Sequence, residues 1–226
     1  MKKIAALLLP VVLSLSSSGA IVEWGAGISN GLSGSAGGNL ADDNFVRVGA
    51  FNISDGVIAQ NAGNIPFLFA NFIEFGRARI GDNLGNINGH FASTSQGNTG
   101  STGLNLVGRQ IYLWAFSASD NTTADSSLAT AIEHGIFYVE IATDPDWAFP
   151  VEEPVPQNTT IDLSDLTQTG NAGALRPGSH VVVGNFPVGT STTTSAANFG
   201  LAIPEPSSAA LVSIGALILA RRRKTK

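Results

Sequence analysis

Asp144, Asp146 and Trp147 form a compact group of side chains that could bind a ligand. Carboxylates at alternate positions resemble the donors of a calcium loop, although such a loop also needs a glycine for its bend and none follows Asp146. An exposed indole ring can stack on a sugar. We therefore expect Trp147 to be exposed in a loop, with the three residues as candidate glycan or calcium contacts. Ordinary turn formation is the competing explanation.

No pattern in the chain predicts catalysis. Residues 27–31 (GISNG) match the G-x-S-x-G elbow of serine hydrolases, but the glycine-rich sequence that follows cannot begin the helix that the elbow requires. The histidines His90, His134 and His180 are 44 and 46 residues apart, which is not the spacing of a zinc site. The sequence therefore predicts no catalytic residue, no metal centre and no cofactor.

The elements that must position these side chains are predominantly β-strands. Segments rich in β-branched and aromatic residues are 44–52, 135–143, 179–186 and 198–203. In 109–117 (RQIYLWAFS) both alternating sets of side chains are apolar, so we expect a central strand that is covered on both faces. The chain is predicted to be all-β, with residues 21–203 forming a single β-sandwich of jelly-roll or Greek-key type.

One or two short helices are expected to accompany the sandwich. The first covers 66–75, with Asn64 as its N-cap, and the second covers 126–134. The stretches 81–103 and 144–178 are rich in residues that favour turns, and we expect them to be loops.

The N-terminal residues 1–20 have the order of a secretory signal. Lys2 and Lys3 precede a 12-residue apolar run, and small residues follow up to Ala20. A spanning helix needs about 20 apolar residues, so a cleaved signal peptide is favoured over an N-terminal membrane anchor. We predict that signal peptidase cleaves after Ala20.

The C-terminal residues 204–226 combine three physical features. They are, in order, the tripeptide Pro204, Glu205 and Pro206, the apolar run 209–220, and the basic cluster Arg221, Arg222, Arg223 and Lys224. The prolines favour an extended, protease-accessible backbone, and the apolar run can enter a bilayer. The positive-inside rule keeps the basic cluster cytoplasmic, so the preceding domain should face outward. A plain membrane anchor is the alternative.

This tripartite order resembles the PEP-CTERM sorting signal of Gram-negative bacteria, whose signature tripeptide matches Pro204, Glu205 and Pro206. The resemblance is confined to residues 204–226. It implies recognition by an exosortase, a membrane enzyme similar to a transpeptidase. That enzyme would remove or replace the tail and release the protein to the cell surface or the exopolysaccharide matrix. Such tails follow unrelated domains, so the resemblance implies where the protein is sent and implies no activity of the domain.

The predicted domain, 21–203, is strongly acidic. It has five arginines, no lysine and sixteen acidic residues, which gives a net charge of −11. Affinity for nucleic acid depends on Lys and Arg, so nucleic-acid binding is excluded. We predict a non-enzymatic surface or matrix protein that associates with extracellular polysaccharide and is anchored in the inner membrane only transiently. Two alternatives stay open: a lectin-like carbohydrate-binding module, and a small hydrolase with an acid pair such as Glu133 and Glu140.

Overall fold

The computed structural model describes residues 19–27, 29–100, 104–119, 128, 131, 133–151, 157–191 and 196–203. The predicted signal segment up to residue 18 and the sorting tail 204–226 lie outside the described residues, as does most of the predicted helix 126–134. Within the described ranges no helix has the length and apolarity needed to cross a bilayer.

In its described part the chain forms mostly β-strands, and the predicted all-β class is confirmed. The strands are β1 (Ala20–Ala26), β2 (Leu32–Ser33), β3 (Asn44–Phe51), β4 (Phe72–Arg79), β5 (Phe91–Gly97), β6 (Tyr112–Ser119), β7 (His134–Val139), β8 (Asn158–Asp162), β9 (Thr167–Gln168), β10 (Asn171–Leu175), β11 (Ser179–Val183), β12 (Asn185–Thr190) and β13 (Ala197–Gly200). The helices are α1 (Asp55–Gln60) and α2 (Ile65–Ala70), and two 3-10 turns cover Pro145–Trp147 and Leu163–Leu166.

The largest sheet has the antiparallel order β11-β7-β6-β3-β4. A three-stranded sheet, β5-β1-β8, pairs β1 antiparallel to β5 and parallel to β8. A second three-stranded sheet, β12-β13-β2, joins the last described strand to one of the first, and β9 and β10 form a hairpin.

Strand β6 is the centre of the hydrophobic core, as its two apolar faces predict. On one face Trp114 packs against Phe69 of helix α2, with ring centroids 4.8 Å apart. The opposite face of the same sheet carries Phe137 of β7, whose ring meets Phe199 of β13 at 5.5 Å. Residues 111–116 are all buried, so the expectation of a central strand covered on both faces is confirmed.

The first predicted helix is only half right. Helix α2 begins at Ile65, and the side chain of Asn64 accepts a hydrogen bond from the backbone of Phe67, as the predicted cap requires. The helix ends at Ala70, however, and Phe72–Arg79 is strand β4. These residues alternate between two faces, and their backbone groups find partners along β3, which outweighs the helical signal of the preceding turn.

Two predicted loops and one predicted helix end are also wrong. The stretch 81–103 contains β5, and 144–178 contains strands β8 to β10 with both 3-10 turns. His134 and Gly135 lie in strand β7 instead of closing a helix. Strands such as β5 (FASTSQG) are short and polar, so their pairing with a neighbour, which one-dimensional patterns do not show, decides their structure.

Candidate functional site

The expectation that Trp147 is exposed is wrong, because its side chain is fully buried. Its indole Nε1 donates a hydrogen bond of 3.2 Å to Oδ2 of Asp165, and its backbone oxygen accepts from the amide of Ile111. A buried indole that meets a partner in this way anchors the 3-10 turn to the core. It offers no stacking surface for a sugar.

Asp144 and Asp146 face partners other than Trp147. Oδ2 of Asp144 forms a 2.7 Å ion pair with Arg176, and its Oδ1 accepts from the backbone of Asp146, whose side chain is exposed. The described ranges hold no group of three or more histidine, cysteine or acidic side chains that is arranged for a metal ion. The structure therefore does not bring the three predicted contacts together around one ligand.

The hydrolase alternative required two carboxylates about 5–10 Å apart. Glu133 precedes the six-residue strand β7 and Glu140 follows it, and seven strand steps correspond to about 23 Å. Each carboxylate also has its own partner. Glu133 accepts from the backbone and the hydroxyl of Ser35, and Glu140 contacts His180 at 2.8 Å. These two acids do not form a catalytic pair.

His134 lies in strand β7 and has a structural role there. Its Nε2 donates to the carbonyl oxygen of Ala62 at 2.8 Å, so its Nδ1 is free to accept from the indole of Trp114 at 3.1 Å. Burial lowers the pKa of His134, which keeps the ring neutral. Both ring nitrogens are thus used within the core.

Two tyrosine hydroxyls meet one carboxylate on the same face of the large sheet. Tyr112 and Tyr138 both donate to Asp55 at the start of α1, and the ring of His180 stacks on Tyr138 at 4.6 Å. Burial, followed by the nearby Asp55, raises the pKa of both phenols. They therefore remain protonated donors that dock α1 onto the sheet.

The glycines of the G-x-S-x-G motif surround a histidine. Nδ1 of the fully buried His90 faces the carbonyl oxygens of Ala26, at 3.2 Å, and Gly27. A Cβ added at Gly31 would lie only 2.9 Å from Cε1 of the ring, so the backbone there fits closely against the imidazole. On the other side of the ring, Oγ of Ser191 lies 2.9 Å from Nε2.

A groove opens next to this pair, between the β9–β10 hairpin and the ends of β12 and β13. Its volume is about 510 Å³, and an adjoining cavity of about 330 Å³ extends it towards the 3-10 turn before β9. The lining residues that the structure describes are uncharged, and each carries a hydroxyl, an amide or no side-chain functional group. The groove proper is lined by Ser29, Gly170, Asn171, Ala172, Gly173, Thr190, Ala196 and Ala197.

Sequence reasoning missed both the His90–Ser191 pair and the groove. The two residues are 101 positions apart, and neither belongs to a recognisable spacing. The only sequence signal was the glycine motif, and its serine, Ser29, lines the groove but is not the residue at Nε2 of His90.

No family model, curated protein or solved structure matches the chain.

The environment of Asp165 predicts a specific pH dependence of stability. Burial is the main reason that its pKa is raised above the ordinary value of 3.8. From pH 3.8 up to the raised value the folded chain holds more protons than the unfolded chain. The contribution of this group to the free energy of unfolding therefore falls as the pH rises through that window. Replacing Asp165→Asn should remove that fall, which chemical denaturation at a series of pH values would measure.

The control for this variant is Asp165→Ala. The alanine removes the acceptor of the Trp147 indole and of the Asp162 amide, so we expect it to lower the unfolding free energy by about 1–3 kcal/mol at every pH. An Asp165→Asn variant whose pH profile runs parallel to that of the wild type would contradict the assignment.

Proposed function

We propose that this chain is an exported protein of the cell surface or extracellular matrix, sorted through the PEP motif at Pro204, Glu205 and Pro206 and processed by an exosortase. Its domain has a structural role in association with extracellular polysaccharide. We also propose that the sheets on either side of the core form a β-sandwich. The observation that carries the proposal is the position of the last described backbone pair, which lies just before the predicted sorting tail.

The strand pairing supports the predicted start of the tail, whereas Ala20, the predicted last residue of the signal peptide, lies in strand β1. Strand β1 starts at Ala20, which is buried and pairs with Gly97. The last paired residue that the structure describes is Ala202, which exchanges two hydrogen bonds with His134. Ile203 is 58% exposed and is followed directly by Pro204. Among the described residues, the last backbone pair thus lies two positions before the first residue of the tripeptide. Cleavage after Ala20 would remove the first residue of the β1–β5 ladder.

The charge distribution supports a role outside the cell. Four of the five arginines of the domain form ion pairs with its own acids: Arg47 and Arg77 with Glu74, Arg79 with Asp43, and Arg176 with Asp144. The remaining acidic residues give the domain its negative field. Such a field favours solubility and repels anionic membrane surfaces, which assists release once the basic tail is removed.

The groove supports association with a neutral polysaccharide in particular. Hydroxyl and amide groups can form hydrogen bonds with the hydroxyls of sugars, and an uncharged lining does not require the ligand to be charged. An acidic polymer would be repelled by the net charge of −11 that 21–203 carries. A lectin-like module would use the same groove, and a glycan array distinguishes the two: selection of one defined glycan favours the lectin, and broad retention favours the matrix protein.

The sorting proposal predicts a change in the mass of the product. The wild-type chain, expressed in a host with an exosortase, should yield a released form that begins near Ile21 and lacks the apolar run 209–220. Replacing all three motif residues with alanine should leave the tail attached and the chain in the membrane fraction, since the enzyme loses its recognition sequence. Intact-mass spectrometry of both fractions measures this.

The matched control replaces Ser207 and Ser208 with alanine, because these residues follow the motif without belonging to it. This variant should be processed like the wild type. Equal processing of the wild type and the triple-alanine motif variant would refute the sorting proposal.

The groove proposal predicts a localised loss of binding. Asn171→Ala removes an exposed amide at the groove, and we expect about a fivefold weaker retention on neutral polysaccharide, the effect of losing a net hydrogen bond of about 1 kcal/mol. Asn158→Ala, at an exposed position at the start of β8, serves as the control. Affinity electrophoresis in polysaccharide gels measures both. Equal retardation of the two variants would exclude this groove as the binding surface.

A further inference from the structure

The pair formed by His90 and Ser191 has a defined proton arrangement. Carbonyl oxygens only accept hydrogen bonds, so the two carbonyls at Nδ1 of His90 require the hydrogen to be on that nitrogen. In the neutral ring Nε2 is then the acceptor, and the hydroxyl of Ser191 donates to it across 2.9 Å. The ring is fully buried, so water does not compete for either nitrogen.

This arrangement has the geometry of an activated serine. In serine hydrolases a histidine accepts the proton of the serine hydroxyl, while a group on its other nitrogen fixes the tautomer and stabilises the charged ring. Here the carbonyls of Ala26 and Gly27 take the position of that third group. A Cβ at position 31 would lie 2.9 Å from Cε1 of the ring, so the glycine there leaves room for the imidazole.

The serine lies next to the groove. Thr190, immediately before Ser191, and Ala196, whose carbonyl oxygen accepts from the Ser191 amide at 2.9 Å, both line it. Ser191 itself is 7% exposed, which restricts access to small reactants. The uncharged lining favours neutral ones.

We propose that Ser191 is a nucleophile activated by His90 that accepts a small acyl group from a neutral ester. Oγ forms a bond to the acyl carbon, and its proton moves to Nε2 of His90. The bond from the acyl carbon to the ester oxygen breaks, and the leaving alcohol takes the proton from Nε2. The products are an acyl-serine, the free alcohol and a neutral His90. This reaction goes beyond the structural role proposed above and does not depend on it.

The test exposes the purified full-length chain to p-nitrophenyl acetate and follows p-nitrophenol release together with peptide mapping. We expect one acetyl group at Ser191 and a matching burst of p-nitrophenol. Because 21–203 contains no lysine, acetylation of amines is confined to peptides from the ends of the chain and does not obscure the result.

Three variants distinguish a serine that is activated by His90 from one that reacts only because it is exposed. Ser191→Ala should abolish the burst, and Ser54→Ala, at an exposed serine at the start of α1, should leave it unchanged. His90→Gln should slow acetylation by about 100-fold or more, the usual contribution of a general base. An unmodified Ser191 in the folded wild type overturns the proposal, as does equally fast acetylation in His90→Gln. If His90→Gln does not fold, the comparison of wild type with Ser191→Ala decides the outcome.

Discussion

The buried amide of Asn198 joins the last described strand to the first part of the chain, and the rest of the fold depends on this closure. Its Oδ1 accepts from the backbone of Gly31 at 2.9 Å, and its Nδ2 donates to Ser33 and Asn39. Losing one partner of such a buried group costs about 1–3 kcal/mol, so the amide holds β13 firmly against β2. Ala202 then pairs with His134 and connects this small sheet to the large one.

The closure also holds the parts of the candidate site in place. The segment that Asn198 binds contains Gly31, which fits against the ring of His90, and β13 carries Ala197 at the wall of the groove. Asn30, next to Gly31, is fully buried and donates to the carbonyls of Ala172 and Ala197, so the hairpin β9–β10 is fixed to the same centre. The site is therefore built from segments that meet only when the C-terminal strand is in place.

The sequence predicted those features that depend on neighbours along the chain. The two apolar faces of β6 identified the central strand, and Asn64 marked the start of α2. The burial of Trp147 was not predictable in this way. Its indole N–H donates a hydrogen bond to Asp165, which belongs to a later turn, and this bond allows the ring to lie in the core. Strand β5 lacked an apolar signal. His90 and Ser191 meet only through tertiary structure, so neither spacing nor composition indicated the pair.

The central proposal is that the acidic domain lies on the outer side of the membrane. It is tested most directly by a reporter inserted after Ile203, upstream of the tail. A fluorescent protein that matures only in the cytosol should not fluoresce when it is inserted at this position. A phosphatase that requires the oxidising exterior should be active at the same position. Bright cytosolic fluorescence with an inactive phosphatase would contradict the account.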